Sequence, residues 1–174
     1  MTTDTDTAIA PVLRARDQGA LLYHAGNLLD WRLDSADTGG AHAVMESVMV
    51  AGMEPPIHVH SREDEIFHVI EGEVTFVAGG REERLGPGGT VFLPRGVPHG
   101  FRVEGDSARA LVVMTPGGIE AGFYAGGMPT SERRIPATPD HIDIDALEAA
   151  FADRGITAVG PPPAVPGWGA HMTA

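Results

Sequence analysis

Short runs of apolar and β-branched residues, separated by glycine and proline, dominate the chain between residues 20 and 115. The runs are short and show no convincing helical period, which favours strands. Turn signals separate them: Gly79 and Gly80 precede the polar run REERL, as in a hairpin, and glycine and proline cluster at 86–89 and 94–98. Many short strands with such turns predict an all-β fold, an antiparallel sandwich or barrel. The predicted strands are LLYH, AHAVMESVMVA, EIFHVI, EVTFVAG, TVFLP, HGFRV and ARALVVM.

The pattern changes after Pro116, where a connector rich in glycine and proline precedes one amphipathic segment. That segment, DIDALEAAFADRG, predicts a short C-terminal helix with Asp143 or Asp145 at its start and Gly155 at its end. The chain therefore divides into four segments: a flexible lead-in at 1–19, the strand-rich region at 20–115, the connector and helix at 116–160, and a Pro-rich tail at 161–174.

Charge and composition narrow the classes of function. Acidic residues outnumber basic ones by 24 to 12, giving a formal net charge of −12. Such a surface repels nucleic acid and anionic lipid, so we expect neither a nucleic-acid partner nor a membrane role. The N-terminus lacks the pattern of a signal peptide and no apolar run is long enough to span a bilayer, so we expect a cytoplasmic location. Because the chain has no cysteine, any metal must be held by nitrogen and oxygen.

The segment HVHSREDE, residues 58–65, concentrates groups that bind protons or metals. Strand alternation places His58 and His60 on the same face. Two interpretations compete: a solvated, charged strand end, or most of the ligands of a metal ion. If a metal binds, Glu65 and, as the alternative, its neighbour Asp64 are the candidates for the acidic ligand.

Two glycine-bounded motifs surround this segment. The first, GMEPPIHVHSREDEIFHVIEG, runs from Gly52 to Gly72, and the second, GGTVFLPRGVPH, runs from Gly88 to His99. In this order and at this short separation, they resemble the two-motif signature of the cupin superfamily. The resemblance implies a small jelly-roll β-barrel over residues 20–115, with a metal ion in its mouth. It also implies four metal ligands: His58, His60, Glu65 and His99.

The second motif departs from the family pattern at one position. Family members often carry Asn four residues after the histidine, where this chain has Val103. Because that Asn is not a ligand, the expected metal site is unaffected. Three imidazoles and one carboxylate suit a divalent Fe, Mn, Ni, Co, Cu or Zn ion. Four protein ligands leave one or two positions of an octahedral site open, as a catalytic metal requires.

Side chains on the same strand faces as Glu65 and His99 are expected to line an apolar cavity around the metal. The opposite parity places His68 on the outer face. His24 lies in an early strand and is expected at the surface, with a position that supports the metal ligands as the alternative. Met49 belongs to a series of methionines that we expect to fill the core, with pocket lining as the alternative. The cavity suits an aromatic or enolic substrate. Its predicted lining residues are Phe67, Val69, Phe101, Val103 and Met49.

The ligand set and the layout of the chain resemble quercetinase-like bacterial cupins, which implies a dioxygenase. In that interpretation an enolic or phenolic substrate binds the metal, Glu65 acts catalytically by accepting its proton, and O₂ then reacts. A non-redox lyase, decarboxylase, cyclase or isomerase has the same sequence features and stays the alternative. A non-catalytic protein that binds a small molecule ranks third. The resemblance also implies a homodimer.

Overall fold

The computed structural model describes residues 9–134 and 143–163. Over these ranges the chain forms ten strands, three short helices and a 3₁₀ turn at Arg16–Gln18. The helices are α1 (Ser35–Thr38), α2 (Glu120–Gly126) and α3 (Ile144–Ala152). The strands are β1 (Ala20–His24), β2 (Asn27–Leu33), β3 (Ala43–Val50), β4 (Ile57–His60), β5 (Asp64–Ala78), β6 (Arg81–Leu85), β7 (Thr90–Leu93), β8 (His99–Thr115), β9 (Met128–Pro129) and β10 (Ile156–Gly160).

The strands form one antiparallel sheet that folds over itself. Its main path runs β10-β4-β8-β3-β2-β1-β9, and β5 pairs with β6, β7 and β8. The long strands β5 and β8 pair along both halves, so that Glu65 lies beside Met114 and Phe76 lies beside Phe101. Register shifts between Val69 and Glu73 interrupt this ladder and allow β5 to bend. The predicted all-β, jelly-roll fold is confirmed.

Strand alternation sorts side chains between the core and the outer face as predicted. In β5, Phe67 and Val69 are buried, whereas His68 between them is exposed. In β3, Met45 and Met49 are buried in the main apolar cluster. The core therefore lies between the two halves of the folded sheet, on the face that carries Glu65.

Glu46 interrupts the apolar pattern of β3, and its partners on the outer face explain why it is tolerated there. Its carboxylate accepts a hydrogen bond from Arg109 of the neighbouring strand β8 at 2.8 Å, and Arg16 lies 3.8 Å away. Arg109 also binds Glu71. Glu46 is half-buried, and its pairing with Arg109 offsets the cost of removing the carboxylate from water.

The C-terminal helix predicted from the sequence is confirmed, and it packs on a second helix that was not predicted. Asp143 caps α3 by accepting a hydrogen bond from the Ala146 amide at 2.9 Å. Helix α2 lies in the glycine-rich connector, where its glycines admit α3. A Cβ atom at Gly122 would lie 2.8 Å from the ring of Phe151. No helix of the described residues has the length and apolar character needed to cross a membrane.

The short strand β10 joins the sheet beside β4, the strand that carries two of the candidate ligands. Ile156 pairs with His60, and Ala158 pairs with His58. The Ser61 amide also donates to the Gly155 carbonyl at 2.8 Å. Because β4 meets β8 at a single pair of residues, β10 supplies most of its backbone pairing.

His24 was expected at the surface, and the structure shows that this was wrong. Only 8% of the residue is exposed, because α2 and α3 cover the end of β1. The His24 ring lies 5.0 Å from the ring of Phe123 and 5.8 Å from that of Phe151, centroid to centroid. Its Nε2 atom is buried without a hydrogen bond in the described structure. Burial lowers the pKa of His24 to about 4.

The buried imidazole predicts a pH-dependent loss of stability. The unfolded chain binds a proton at His24 more tightly than the folded protein does. Above about pH 6.5 His24 is neutral in both states and does not change the free energy of unfolding; as the pH falls towards 4, that free energy decreases. A His24→Leu variant should lack this loss, which is on the order of 2–3 kcal/mol. Urea unfolding of both proteins in EDTA, between pH 7 and pH 4, measures it. A constant difference between the two proteins would contradict the prediction.

Candidate metal centre

Three strands bring four side chains with metal-binding atoms together inside the barrel. These atoms, one from each residue, lie within 4.8 Å of one another. The Glu65 Oε2 atom lies 3.4 Å from His99 Nε2 and 3.8 Å from His60 Nε2. The four residues are His58 and His60 of β4, Glu65 of β5 and His99 of β8.

Local backbone structure explains how residues distant in sequence meet here. His58 and His60 alternate onto one face of β4, and the chain then turns directly into β5. His99 begins β8, where it pairs with His58. The turn before it is fastened to β4, because the Gly96 amide donates to the carbonyl of His60 at 2.8 Å. Gly96 has φ of 78°, a conformation that favours glycine.

Asp64, the alternative acidic ligand, points elsewhere. Its carboxylate accepts hydrogen bonds from the Arg95 amide and from the Arg95 guanidinium, each at 2.8 Å. The hydrogen bonds from Arg95 lower the pKa of Asp64 to about 2. This pair ties the start of β5 to the turn before His99, and it leaves Glu65 as the carboxylate that faces the cluster.

Main-chain carbonyls orient two of the three imidazoles. His58 Nδ1 lies 2.7 Å from the Pro56 carbonyl oxygen, and His99 Nδ1 lies 2.8 Å from that of Val97. A carbonyl oxygen only accepts hydrogen bonds, so each Nδ1 must carry the proton. Each Nε2 is then left with its lone pair, which is the form that binds a metal.

The electrostatics of the cluster also favour a cation. Burial alone would raise the pKa of Glu65, but the imidazoles of His60 and His99 outweigh it and lower the pKa to about 2. Burial, together with the neighbouring His99, lowers the pKa of His58 to about 4. Burial opposes a charge on His60 as well, but the carboxylates of Glu65 and Glu63 outweigh it and raise the pKa. The low pKa values keep the Glu65 carboxylate ionised and the His58 imidazole neutral, which are the states that coordinate a divalent ion.

The cluster is able to bind a metal ion. His99 Nε2 is buried with no hydrogen bond of ordinary geometry in the described structure. Ligands about 2.1 Å from a shared ion lie up to about 4.2 Å apart, so small side-chain adjustments bring these atoms into range. Three nitrogen atoms and one oxygen atom suit Fe, Mn, Ni, Co, Cu or Zn, and the cluster does not select among them.

The predicted pocket residues lie on the inner face beside the cluster. Phe67 contacts Phe76 and Phe101, with ring centroids 5.3 Å and 5.7 Å apart. Phe101 is only partly buried, whereas the other two rings of this aromatic wall are buried. The other predicted lining residues, Val69, Val103 and Met49, are buried in the apolar cluster.

Sequence reasoning missed one acidic residue near the ligands. Glu63 lies in the turn between β4 and β5, yet it is buried against His60. The motif pattern gives it no role, and a charged residue in a turn is usually exposed. The only available signal was its position between two candidate ligands.

The chain is similar to known proteins over part of its length. The family described as Cupin domain matches residues 44–116, which include all four cluster residues. Quercetin 2,3-dioxygenase of Bacillus subtilis (strain 168) is 27% identical over 111 residues, which cover 64% of this chain and 33% of that protein. Dimethylsulfoniopropionate lyase DddQ of Ruegeria pomeroyi is 42% identical over 66 residues, which cover 37% of this chain and 32% of the lyase. The chain therefore matches about a third of each relative's length.

Among solved structures, the polyketide cyclase RemF from Streptomyces resistomycificus is similar in both sequence and fold. It is 30% identical, the match covers 61% of this chain and 80% of the cyclase, and the TM-score is 0.51. The names of these relatives include a dioxygenase, a lyase and a cyclase, so the similarity alone does not fix the reaction. The two motifs, the jelly-roll fold and these matches show that the chain belongs to the cupin family.

Proposed function

We propose that this cupin is a metal-dependent enzyme, and specifically a quercetinase-like dioxygenase that acts on an aromatic or enolic small molecule. The observation that carries the proposal is the buried cluster of three imidazoles and one carboxylate, with Phe67 and Phe101 two positions along the strands from Glu65 and His99 and on the same strand faces.

The side chains of the site would have separate roles in the proposed reaction. His58, His60, Glu65 and His99 would hold the metal, which supplies Lewis acidity and, for a redox-active ion, a route for electrons to O₂. The partly exposed ring of Phe101 would stack on a flat substrate. The buried ring of Phe67 behind it would exclude water from the reacting face. Glu65 would also receive a substrate proton.

The similarity to quercetin 2,3-dioxygenase supports an oxidative reaction, since that match extends over 111 residues. The aromatic wall supports a flat, apolar substrate. The four candidate ligands and the three rings of the wall are His, Glu and Phe side chains. Phosphate groups are recognised by lysine and arginine, so this set of side chains does not favour a phosphorylated substrate.

Oxygen uptake tests the dioxygenase proposal. Metal-free protein is loaded separately with Fe²⁺, Mn²⁺, Co²⁺, Ni²⁺ or Cu²⁺ and mixed with a flavonol in an oxygen-electrode cell. We expect O₂ consumption that matches loss of the flavonol with at least one ion and stops without oxygen. Metal-free protein and a Glu83→Gln variant, altered at an exposed position of β6, serve as controls. Turnover that is indifferent to oxygen would contradict the proposal.

A non-redox lyase, decarboxylase, cyclase or isomerase is the second candidate function. The similarity to the polyketide cyclase favours it, since the match covers 80% of that protein. The same four side chains can hold Zn²⁺, which performs no redox chemistry. Product formation by Zn²⁺-loaded protein under nitrogen would support this candidate over the dioxygenase. Binding of a flavonol without turnover under either condition would support a non-catalytic protein.

A further inference from the structure

We propose that Glu63 is a positioning residue for the metal site: its carboxylate holds and polarises the imidazole of His60 from the side opposite the ligands. The inference rests on the proposed metal site and is independent of the proposed reaction. Glu63 is only 4% exposed, and its Oε2 atom lies 3.7 Å from His60 Nδ1. The other nitrogen of the ring, Nε2, faces Glu65.

The three candidate histidine ligands differ in what supports their Nδ1 atoms. His58 and His99 donate to neutral main-chain carbonyls. His60 Nδ1 and Glu63 Oε2 are both buried, and neither has another hydrogen-bond partner in the described structure. A slight rotation of the Glu63 side chain closes the 3.7 Å gap to a hydrogen bond, and the two unsatisfied atoms then satisfy each other. One ligand would thus be supported by a full negative charge instead of a dipole.

The buried carboxylate of Glu63 needs positive charge nearby. The exposed guanidinium of Arg95 supplies some, but it is already hydrogen-bonded to Asp64. Glu63 and Glu65 are both buried, on opposite sides of His60. Two buried carboxylates are unfavourable without compensating positive charge. A divalent ion held by Glu65 alone leaves one net positive charge in the site, and Glu63 cancels it. Carboxylates that bind the outer nitrogen of a ligand histidine also fix its tautomer and raise its basicity.

The three neighbouring acids of HVHSREDE therefore have three different partners. Asp64 binds Arg95 and fixes the turn before His99. Glu65 faces the ligands, and Glu63 faces the back of His60. This division explains why the segment carries three consecutive acids, although the family motif accounts only for the last of them.

Zn²⁺ affinity of a Glu63→Gln variant tests the inference. The amide keeps the size of the side chain and one oxygen acceptor but removes the charge. We expect Zn²⁺ to bind about 10- to 100-fold more weakly than in the wild type, measured by competition with a chromophoric chelator. We also expect the metal-free variant to be as stable as the wild type, because Gln fills the same space and still offers His60 Nδ1 a hydrogen-bond acceptor. Glu83→Gln is the matched control and should change neither quantity.

A merely structural role for Glu63 gives a different pattern. It would lower the stability of the metal-free protein together with the affinity, and that result overturns the inference, as does an unchanged affinity. In the Zn²⁺-loaded wild type, the His60 Nδ1 proton should give a downfield NMR signal that shifts in Glu63→Gln, whereas those of His58 and His99 stay in place. Absence of Zn²⁺ binding by the wild type overturns both this inference and the metal site. Zn²⁺ binding by the wild type, with no oxygen uptake by the protein loaded with Fe²⁺, Mn²⁺, Co²⁺, Ni²⁺ or Cu²⁺, overturns the dioxygenase proposal alone.

Discussion

A His99→Ala variant is expected to bind a divalent metal ion about 100-fold more weakly than the wild type, or worse. A four-ligand site in a protein contributes on the order of 10–16 kcal/mol of binding free energy, so one ligand accounts for about 3 kcal/mol. His99 comes from a different strand than the other ligands, and its Nε2 atom lies 3.4 Å from the carboxylate of Glu65. Isothermal titration of metal-free protein with Zn²⁺ measures the loss.

The matched control is His68→Ala. His68 lies in β5, three residues after Glu65, but its side chain is exposed on the outer face and bonds to Thr90. We expect this variant to bind Zn²⁺ as the wild type does. Thermal unfolding of both metal-free variants checks that they fold, because His99 is buried and its removal leaves a cavity. Equal affinities of His99→Ala and the wild type would show that the four side chains do not share an ion.

Strand alternation made part of this site predictable. It placed His58 and His60 on one face and separated Phe67 from His68, because a strand side chain must point to one face or the other. The motif spacing then selected Glu65 over its neighbour. Convergence of His99 was not derivable from alternation, since it depends on pairing between strands far apart in sequence. The family resemblance supplied it.

The elements that sequence reasoning missed are those without a clear local pattern. Strand β2 buries consecutive residues, Leu28 to Trp31, so it shows no alternation. Strand β10 is short and mostly exposed, and it is held by pairing with β4. Helix α2 contains glycines that disfavour a helix locally but allow contact with α3. In each case tertiary contacts override the local signal.

The same limit applies to buried polar residues. His24 and Glu63 are polar, and composition alone favours exposure for both. His24 is buried because two helices close over β1, and Glu63 because the turn after β4 folds inward. Neither closure is encoded in a short stretch of sequence. Of the two residues, Glu63 lies beside the candidate ligand His60, and His24 lies beneath the helices that cover the end of β1.

A Phe67→Ala variant is expected to lose about 3–5 kcal/mol of unfolding free energy, because it removes a large ring from a packed core. Phe67 is only 5% exposed and contacts Phe76 and Phe101. Urea unfolding of the metal-free protein measures the loss. Phe92→Ala is the control: Phe92 lies on the neighbouring strand β7, is 58% exposed, and should cost less than about 0.5 kcal/mol.

The size of this loss also decides what Phe67 contributes to the predicted pocket. A ring that only lines an open cavity has few contacts to lose, so a cost below about 1 kcal/mol would place Phe67 on the cavity wall and contradict its core role. If the full loss is seen, Phe67 belongs to the core, and the residue expected to contact the substrate is Phe101. Phe101 is partly exposed and packs against the ring of Phe67. A Phe101→Leu variant should then weaken flavonol binding while unfolding close to the wild type. The aromatic wall would thus consist of a buried support and an exposed contact surface.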